Sequence, residues 1–388
     1  MEKNRINVGI IGTGFIATGL YYSIMQSSEL QVTVIRSRRK AEECINLNKE
    51  LITNSDQELI EKSDIVVECS GNPVYATPIV RKVMEAGIQV VTMDSELQIT
   101  TGSYLKQIGK NLLTEAEGDQ PGCLAALKKE ALEMGFFPLV YGNIKGFLNY
   151  NPTMEDMKFW SKKNGISLNQ VTSFTDGTKI SIEQVLVANG LKADIAKGGM
   201  IGFKRTFETF ENGAIELAKY ADRNNVQISD FVMYRNKERH PGVFLVCKHQ
   251  KIQSAYLEYY KMGKGPFYIL EKPFHLCHLE IIKTIKEMLH NKRPLLTNGI
   301  SPKYSVKMIA KIDIPVDTTI NYGIGSFLLR GEPIEIKSDI EHVPAGLIFN
   351  VKTKKAIKAG QTIHFNDIIL PESEAYKAWI NTLKTLKS

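Results

Sequence analysis

Lys179 and Glu183 are the pair of residues whose types and spacing first suggest chemistry. Lys179 directly precedes residues 180–189, where apolar side chains recur at helical spacing, and Glu183 follows it by four positions. Side chains four positions apart share one face of a helix. A lysine ammonium can give a proton to the alkoxide that forms when a carbonyl is reduced, and its charge stabilises that oxygen. Lys179 is therefore a candidate proton donor; the alternative is an exposed helical ion pair, which is common and weak.

A glycine-rich turn near the amino terminus indicates a dinucleotide site. The stretch GIIGTGFIA fits the GxGxxA fingerprint and lies between a predicted strand at residues 6–11 and a predicted helix at residues 15–26. Gly12 would permit the tight turn, Gly14 would let the backbone approach a pyrophosphate, and Ala17 would allow close helix packing. The alternative is a glycine turn that binds no ligand. Five positions are predicted to contact the cofactor: Gly12, Thr13, Gly14, Phe15 and Ile16.

The end of the second predicted strand bears on which dinucleotide the turn would accept. Enzymes that use NAD usually have an acidic residue there, which accepts hydrogen bonds from the ribose hydroxyls. This sequence instead has Arg36, Ser37, Arg38 and Arg39 after a β-branched run. A carboxylate would repel a 2′-phosphate, whereas guanidinium groups and a hydroxyl can bind it. The four residues therefore predict NADP rather than NAD; the alternative is a solvated basic turn.

Polar residues also follow the strands predicted at residues 64–69 and 89–93. Ser70, Gly71 and Asn72 follow the first of these strands. Asp94, Ser95 and Glu96 follow the second. Ligands of parallel sheets bind at the carboxyl ends of the strands. We therefore predict that Ser70, Gly71 and Asn72 lie on the nicotinamide-ribose side of the site, with a plain strand-to-helix loop as the alternative.

Strands and helices alternate through the first third of the chain, with further helices predicted at residues 75–86 and 123–134. Such alternation needs crossover connections, which favour an α/β fold with a doubly wound, parallel Rossmann sheet. A strand at residues 137–141 could complete that sheet. Three domains are predicted where the pattern changes: a dinucleotide-binding Rossmann domain at residues 1–146, an α+β substrate, catalytic and oligomerisation domain at 147–303, and a small β-rich module at 304–388.

Five further segments resemble those of homoserine-dehydrogenase-like oxidoreductases that end in a SAF module, and the resemblance runs over nearly the whole chain. The segments are EGDQPG from Glu117, DGTK from Asp176, KGPFY from Lys264, KPFHL from Lys272 and IKAGQTI from Ile357. The resemblance implies an NAD(P)-dependent oxidoreductase, a SAF-like C-terminal module and a catalytic role for Lys179. One branch of the family looks like 1-deoxy-D-xylulose 5-phosphate reductoisomerase, and another works on branched sugar acids.

The same resemblance implies a use for three acidic residues. Asp119, Glu96 and Asp176 could hold a divalent metal such as Mg²⁺ or Mn²⁺ across neighbouring oxygens of a sugar phosphate, in the manner of a reductoisomerase. The alternative is that they are solvated or cap helices. Homoserine dehydrogenases proper have an Asn-Lys pair where this chain has Asp94, Ser95 and Glu96. That departure argues against simple homoserine oxidation.

Two other groups of residues have chemical side chains in a less favourable arrangement. His275 and His278 are three positions apart with no second ligand pair nearby, whereas paired zinc-binding histidines on a helix are four apart. A structural or substrate-contacting His275 is the better interpretation. Lys204 and Arg205 follow several glycines and could bind an anionic group, but an exposed basic pair is the simpler interpretation.

Composition narrows the classes of protein. The 388 residues exceed what one core usually supports, and a net charge of +7 spread along the chain fits anionic small molecules rather than nucleic acid. Five scattered cysteines without a CxxC pair argue against a disulfide framework or structural zinc, and favour the cytoplasm. No signal-peptide pattern or membrane-spanning apolar run is expected from the sequence. A homo-oligomer is expected as well.

Taken together, these patterns predict an NADP-dependent reductase or reductoisomerase. Its substrate would be a phosphorylated or acidic sugar or polyol, in the synthesis of isoprenoid or surface-polysaccharide precursors. A non-catalytic NADP-binding sensor that engages a partner protein is one alternative, and a homoserine dehydrogenase is another. NADPH oxidation with candidate substrates would separate the first prediction from the sensor.

Overall fold

A six-stranded parallel sheet forms the amino-terminal part of the protein. The computed structural model describes residues 5–235 and 241–387. The strands of this first sheet, in chain order, are β1 (Ile6–Ile11), β2 (Leu30–Arg36), β3 (Ile52–Thr53), β4 (Ile65–Glu68), β5 (Gln89–Thr92) and β6 (Leu113–Glu115). Their spatial order is β3-β2-β1-β4-β5-β6, and every neighbouring pair is parallel.

Helices cover both faces of the first sheet. The helices of the chain are α1 (Phe15–Met25), α2 (Asp56–Glu61), α3 (Pro73–Glu85), α4 (Ser95–Leu97), α5 (Ser103–Gly109), α6 (Gln120–Glu133), α7 (Met154–Asn164), α8 (Leu168–Thr175), α9 (Thr178–Leu191), α10 (Phe210–Arg223), α11 (Ser254–Tyr259), α12 (Cys277–Asn291) and α13 (Glu374–Lys387). Side chains alternate along a strand, so Ile65 and Val67 of β4 pack with α1 and α12, while Val66 packs with α3 on the opposite face. The predicted α/β fold with a doubly wound Rossmann sheet is confirmed.

A second, mixed sheet lies in the middle of the chain. Its strands are β7 (Phe137–Lys145), β8 (Thr206–Phe207), β9 (Ile228–Tyr234), β10 (Val243–Lys248) and β11 (Tyr268–Lys272), in the order β11-β10-β7-β9-β8. Helix α10 packs on one face, and α6 and α9 pack on the other. The prediction that residues 137–141 complete the first sheet is wrong, because β7 pairs with β9 and β10 at the centre of the second. The domain limits at residues 146 and 303 stay predictions.

Small antiparallel sheets make up the carboxy-terminal part, which is the predicted β-rich module. Its strands are β12 (Tyr304–Ala310), β13 (Thr319–Tyr322), β14 (Leu329–Glu335), β15 (Phe349–Thr353) and β16 (Ile368–Ile369). One sheet pairs β12 with β14, and the other has the order β13-β15-β16. Helix α13 returns to the first sheet, where Glu374 pairs with Arg81 of α3. In the described part of the chain, no helix is both long and apolar enough to cross a membrane.

Candidate active site

The glycine turn follows β1 at the carboxyl edge of the first sheet. Gly12 has φ +117°, and a Cβ there would lie 2.8 Å from the carbonyl oxygen of Cys69, so only glycine fits this close approach. Gly14 precedes α1, and a Cβ on it would meet no atom within 4 Å. Ala17 is buried against the core. The turn therefore leaves open space beside the free N–H groups at the start of α1, where an anionic pyrophosphate would be stabilised.

The other residues of this turn that were predicted to contact the cofactor differ in burial. Thr13 is half-buried, Phe15 is exposed, and Ile16 packs against the apolar cluster under α1. The ring of Phe15 makes an edge contact with His278 of α12. A Cβ on Gly19 would lie 2.6 Å from the same imidazole. His278 is thus a packing residue between α1 and α12.

The four residues after β2 have different surroundings. Arg36 Nε donates to Asp56 at 2.8 Å and its guanidinium also donates to the Ser37 carbonyl oxygen, so its charge is already balanced. Ser37 is buried, and its hydroxyl accepts from the Arg39 backbone N–H. Arg38 and Arg39 are exposed, and the Arg38 guanidinium lies 4.3 Å from the centre of the Tyr75 ring. Within this group, Arg38 and Arg39 are the cations that face the solvent.

The loop after β4 also lies at the carboxyl edge. The Ser70 backbone N–H donates to Glu68 at 2.7 Å, and Gly71 has φ +65°. The Asn72 side chain accepts from the Tyr75 backbone N–H and caps α3. Asn72 therefore has a structural task in the loop, whereas Ser70 and Gly71 lie at the edge without such a capping role.

Lys179 lies in the first turn of α9 and points into an acidic cleft. Its Nζ lies 3.1 Å from Glu96 Oε2 and 3.7 Å from Asp119 Oδ2, and the three side chains are only 9–13% exposed. Glu96 follows β5 and Asp119 caps α6 soon after β6, so neighbouring strand ends bring the two acids together. The alternative of an exposed helical ion pair is wrong, because Lys179 is largely buried and its hydrogen bond goes to Glu96.

The carboxylates control the charge of Lys179. Burial alone would lower the pKa of this lysine, but Glu96, Asp119 and Glu183 raise it well above its ordinary value. Burial also raises the pKa of Glu96, yet the Lys179 ammonium dominates and leaves the pKa of Glu96 lowered. Lys179 is therefore protonated at neutral pH and is able to donate a proton.

A second group of acids lies behind this pair. The Ser95 hydroxyl lies 2.9 Å from Glu115 Oε1 and 3.0 Å from Asp119 Oδ2. Burial and the nearby Asp119 raise the pKa of Glu115 well above its ordinary value. Burial and the neighbouring acids likewise raise the pKa of Asp94. One oxygen each of Asp94 and Glu115 has no hydrogen-bond partner, so this cluster has more acidic groups than cations to balance them.

Glu183 lies one turn further along α9 and is buried. Asn143 Nδ2 donates to Glu183 Oε2 at 3.2 Å, and the Gln120 amide nitrogen, when oriented toward the acids, lies 3.1 Å from Glu183 Oε1. Burial and the charge of Asp119 raise the pKa of Glu183 to about 8. A carboxyl group with this pKa exchanges its proton near neutral pH, which suits a group that changes charge during turnover.

Two basic residues, Lys145 and His275, lie beside Glu183 and Asp119. Sequence reasoning assigned no role to Lys145 and left the role of His275 open. Lys145 ends β7; burial lowers its pKa, while Glu183 and Asp176 act against that shift. His275 lies beside Gln120, and burial lowers its pKa as well. A lysine at the end of an apolar strand was the signal that could have identified Lys145.

Asp176 does not share the cleft as a metal ligand would. Its carboxylate is fully buried, with Lys311 Nζ at 2.6 Å and the Thr178 backbone N–H at 2.9 Å. Glu96 and Asp119 both face the Lys179 ammonium. Within the described ranges, no three His, Cys, Asp or Glu side chains are grouped to hold a metal ion. The predicted Mg²⁺ or Mn²⁺ site of Asp119, Glu96 and Asp176 therefore does not fit these residues.

The remaining basic pair of the sequence lies apart from the residues discussed above. Lys204 Nζ donates to the Gly198 carbonyl oxygen at 2.6 Å. The Arg205 guanidinium lies 4.7 Å from the centre of the Phe207 ring. Both side chains thus have partners on the surface near the second sheet, which agrees with the simpler interpretation of an exposed pair.

Two family models match the chain. The model described as homoserine dehydrogenase, NAD binding domain, matches residues 12–111, and the model described as oxidoreductase DRL, catalytic domain, matches residues 118–281. The first range contains the glycine turn, and the second contains Asp119 and Lys179. The chain is an NAD(P)-dependent oxidoreductase, which favours the enzyme over the non-catalytic sensor. Residues beyond 281 lie outside both matches, so the SAF-like assignment stays a prediction.

Other comparisons add little to this assignment. Comparison with curated protein sequences gives no match. Similar solved structures include a homoserine dehydrogenase from Thiobacillus denitrificans, with 11% identity, coverage of 94% of this chain and 99% of that one, and a TM-score of 0.44. They also include UDP-N-acetylglucosamine 3-dehydrogenase from Acidithiobacillus ferrooxidans, with 11% identity, coverage of 76% and 92%, and a TM-score of 0.42. Likeness of this degree indicates neither substrate nor mechanism.

Proposed function

We propose that this oxidoreductase interconverts a carbonyl and an alcohol on an acidic or phosphorylated sugar or polyol, with Lys179 as the proton donor. The observation that supports the proposal is the buried Lys179 ammonium, 3.1 Å from Glu96 and 3.7 Å from Asp119. These residues lie beside the carboxyl edge of the first sheet, where the glycine turn also lies. A proton donor and the dinucleotide site thus open toward the same edge.

In the proposed reduction, the turn at Gly12 and Gly14 would hold the dinucleotide, whose nicotinamide would supply hydride to the carbonyl carbon. Lys179 Nζ donates a hydrogen bond to the carbonyl oxygen and transfers its proton as negative charge develops there. Glu96 and Asp119 hold the ammonium in place and favour its return to the charged form afterwards. Hydride and proton together convert the carbonyl to an alcohol, and oxidation reverses both transfers.

The composition of the cleft bears on the substrate class. Asp119 and Glu183 can accept hydrogen bonds from the hydroxyls of a polyol, while Lys145 and Lys179 offer positive charge to an acidic group. Reduction coupled to isomerisation, as in 1-deoxy-D-xylulose 5-phosphate reductoisomerase, is the finer form of this proposal. Glu183, whose pKa of about 8 allows proton exchange, would serve the isomerisation. Isoprenoid or surface-polysaccharide precursors would be the products.

We propose NADP as the preferred cofactor because Arg38 and Arg39 are exposed beyond β2. Arg36 is already paired with Asp56, so the preference rests on the other two arginines. Arg38→Glu should weaken NADPH binding by at least about tenfold while NADH binding changes little, since a charge-assisted bond to phosphate contributes about 1.5–3 kcal/mol. Equal binding of NADPH and NADH by the wild-type protein would contradict the preference.

The function is tested by a screen of NADPH oxidation over phosphorylated ketoses, keto acids and nucleotide-linked sugars. We expect turnover with at least one phosphorylated or acidic sugar, and loss of that turnover in Lys179→Met. Lys358→Met is the matched control, because the Lys358–Asp313 pair is exposed in the carboxy-terminal part. Turnover that survives in Lys179→Met at the level of the control removes Lys179 from the mechanism.

The remaining parts of the proposal concern the setting of the enzyme. We propose a cytoplasmic homo-oligomer with a SAF-like carboxy-terminal module. The five cysteines are free in the structure, which suits a reducing compartment.

A further inference from the structure

A buried ion pair joins the carboxy-terminal part of the chain to the start of the catalytic helix. Lys311 directly follows β12, and its Nζ lies 2.6 Å from Asp176 Oδ2 and 2.7 Å from the Ser326 carbonyl oxygen. The two charged side chains are 2% and 0% exposed. Asp176 also accepts from the Thr178 backbone N–H, the first residue of α9. One carboxylate is thus shared between the helix and Lys311.

Strand β14 makes a second connection to the same turn. The Gly331 backbone N–H donates to Thr178 Oγ1 at 2.8 Å, and the Ser181 hydroxyl lies 3.2 Å from the Gly331 carbonyl oxygen. A Cβ on Gly331 would lie 3.0 Å from the Thr178 methyl, so the strand and the helix are in close contact. The first turn of α9 is therefore held from the carboxy-terminal side by two elements.

The residues of α9 that contact the carboxy-terminal part and the residues that face the acidic cleft lie on different faces of the helix. Thr178 and Ser181, three positions apart, share the face that meets β14. Lys179 and Glu183, four positions apart, share the face that meets the acidic cleft. A shift or rotation of the helix start would therefore move the Lys179 ammonium relative to Glu96 and Asp119.

We propose that Lys311 is a positioning residue for Lys179. It binds Asp176 and thereby fixes the first turn of α9, so that the ammonium lies between Glu96 and Asp119. This proposal rests on the proposed function of Lys179, and it gives the carboxy-terminal part a task in the reaction although it supplies no group to the cleft described above.

The physical chemistry of buried ion pairs supports positioning over simple stabilisation. Desolvation of two charges offsets most of their attraction, and neutral replacement of both partners is often harmless to stability. Removal of one partner alone leaves an uncompensated charge, which is strongly destabilising. A variant that loses both charges can therefore fold and still lack the geometry that the pair imposes.

The test uses the double variant Asp176→Asn/Lys311→Met in the full chain, with Lys358→Met as the matched control. Asn keeps an oxygen for the Thr178 N–H. The measurements are kcat and KM, the pH dependence of kcat, NADPH affinity, and amide hydrogen exchange of a peptide that covers residues 176–184.

We expect kcat to fall by about tenfold or more, because a misplaced catalytic group can cost up to about 10²-fold. NADPH affinity should be unchanged and exchange at residues 176–184 faster. The carboxylates raise the pKa of Lys179, so a looser contact should move the basic limb of the pH profile to lower pH. A double variant with wild-type kcat, pH profile and exchange would overturn the proposal.

A second variant covers the case in which the double variant does not fold. Lys311→Gln keeps an N–H donor for Asp176 and the Ser326 carbonyl oxygen but removes the charge and shortens the side chain, so it should lower kcat and shift the basic limb in the same direction to a smaller extent. Wild-type kcat and pH profile in Lys311→Gln would then overturn the proposal. Lys179→Met is measured in parallel: if it stays active, the proposed function fails, whereas hydrogen exchange still decides whether Lys311 fixes the turn.

Discussion

Two neighbouring clusters each surround a lysine with carboxylates, but the balance of charge differs. In the first, Lys272 contacts Glu280 and lies 2.8 Å from Glu117, and Lys283 lies 3.1 Å from Glu117 as well. Two cations therefore face two anions. Burial alone would lower the pKa of Lys272, but hydrogen bonds to Glu117 and Glu280 raise it above its ordinary value.

The cluster around Lys179 has an excess of acids. The ammonium faces Glu96 and Asp119, and Ser95 connects Asp119 to Glu115, one of whose oxygens has no partner. Buried polar groups in folded proteins are normally satisfied. Unsatisfied acids with strongly raised pKa values are typical of functional sites, whereas a balanced cluster is typical of structure. The comparison favours Lys179 as the lysine of the proposed reaction and Lys272 as a structural one.

The largest expected effect comes from replacing the central lysine of each cluster by methionine. Lys179→Met should lower kcat by about 10²–10⁴-fold, the usual contribution of a general acid. It should also lower the free energy of unfolding, because it leaves the buried Glu96 and Asp119 without their cation. Lys272→Met should lower the free energy of unfolding by about 3 kcal/mol, because it leaves Glu117 and Glu280 short of a cation, but the folded enzyme should keep its kcat. Steady-state kinetics and thermal unfolding of both variants give the two readouts.

The comparison fails if the two variants behave alike. Loss of kcat in the folded Lys272→Met variant equal to that in Lys179→Met would mean that the two lysines do not differ in function. Cofactor affinity of both variants serves as the control, since neither lysine borders the glycine turn.

The second prediction concerns the ionisation of Glu183 and its effect on the pH dependence of activity. Glu183 has a pKa raised to about 8, so it is mostly neutral at pH 7 and adds a negative charge to the cleft above pH 8. An anionic substrate would then be repelled, and kcat/KM should fall about tenfold per pH unit above 8 if ionised Glu183 blocks binding. Glu183→Gln mimics the neutral form and should lack this limb. Superimposable profiles for wild type and variant would remove Glu183 from the control of activity.

The cofactor turn and the cleft also differ in how far the sequence predicts them. The turn at Gly12 and Gly14 is made by consecutive residues, so the strand, glycines and helix could be identified from the sequence. The cleft depends on where separate strands end. Glu115 is the last residue of β6, and an acid at the end of an apolar strand was the available signal. Lys179 was found through its local motif and Glu96 as a possible metal ligand, but the sequence did not show that Glu96 is the carboxylate that pairs with Lys179.

Strand pairing marks the main limit of prediction for the fold. Residues 137–141 are apolar and extended, a pattern that suits either sheet, because periodicity reports burial and not the neighbouring strand. The structure places them in β7, between β9 and β10. In the same way, the charge of Asp176 suggested the cleft, and only the packing of the carboxy-terminal part revealed Lys311 as its partner.

The third prediction compares one acid from each cluster by the pH dependence of its contribution to the free energy of unfolding. For Glu115, burial raises the folded-state pKa above its ordinary value of 4.5, so its contribution to stability falls as pH rises above 4.5. For Glu280, burial acts against the shift, but the Leu276 N–H and Lys272 lower the folded-state pKa, so its contribution is present above 4.5 and lost as pH falls below it.

Replacement of each acid by glutamine should therefore act in opposite directions at pH 8. Glu115→Gln should raise the free energy of unfolding, and the gain should vanish below pH 4.5, where the acid is protonated in both the folded and the unfolded state. Glu280→Gln should lower it by about 2 kcal/mol, the contribution of a hydrogen bond to a charged group. Thermal unfolding between pH 4 and 8 measures both; a loss of stability in Glu115→Gln at pH 8 would mean that Glu115 is balanced after all.

The smallest expected effect comes from Ser95, which joins Glu115 to Asp119. The Ser95 hydroxyl lies within hydrogen-bond distance of both acids but has one hydrogen, so it can donate to only one of them at a time. Ser95→Ala removes this connection and leaves Asp119 less stabilised as a carboxylate, which should lower kcat by about threefold to tenfold, the equivalent of one hydrogen bond of about 1 kcal/mol. Thr100→Ala, in which a hydroxyl bonded only to the Glu96 carbonyl oxygen is lost, is the control. Equal kcat values for the two variants would show that the acids behind Asp119 do not influence the reaction, and the acid excess would then be confined to Glu96, Asp119 and Glu183.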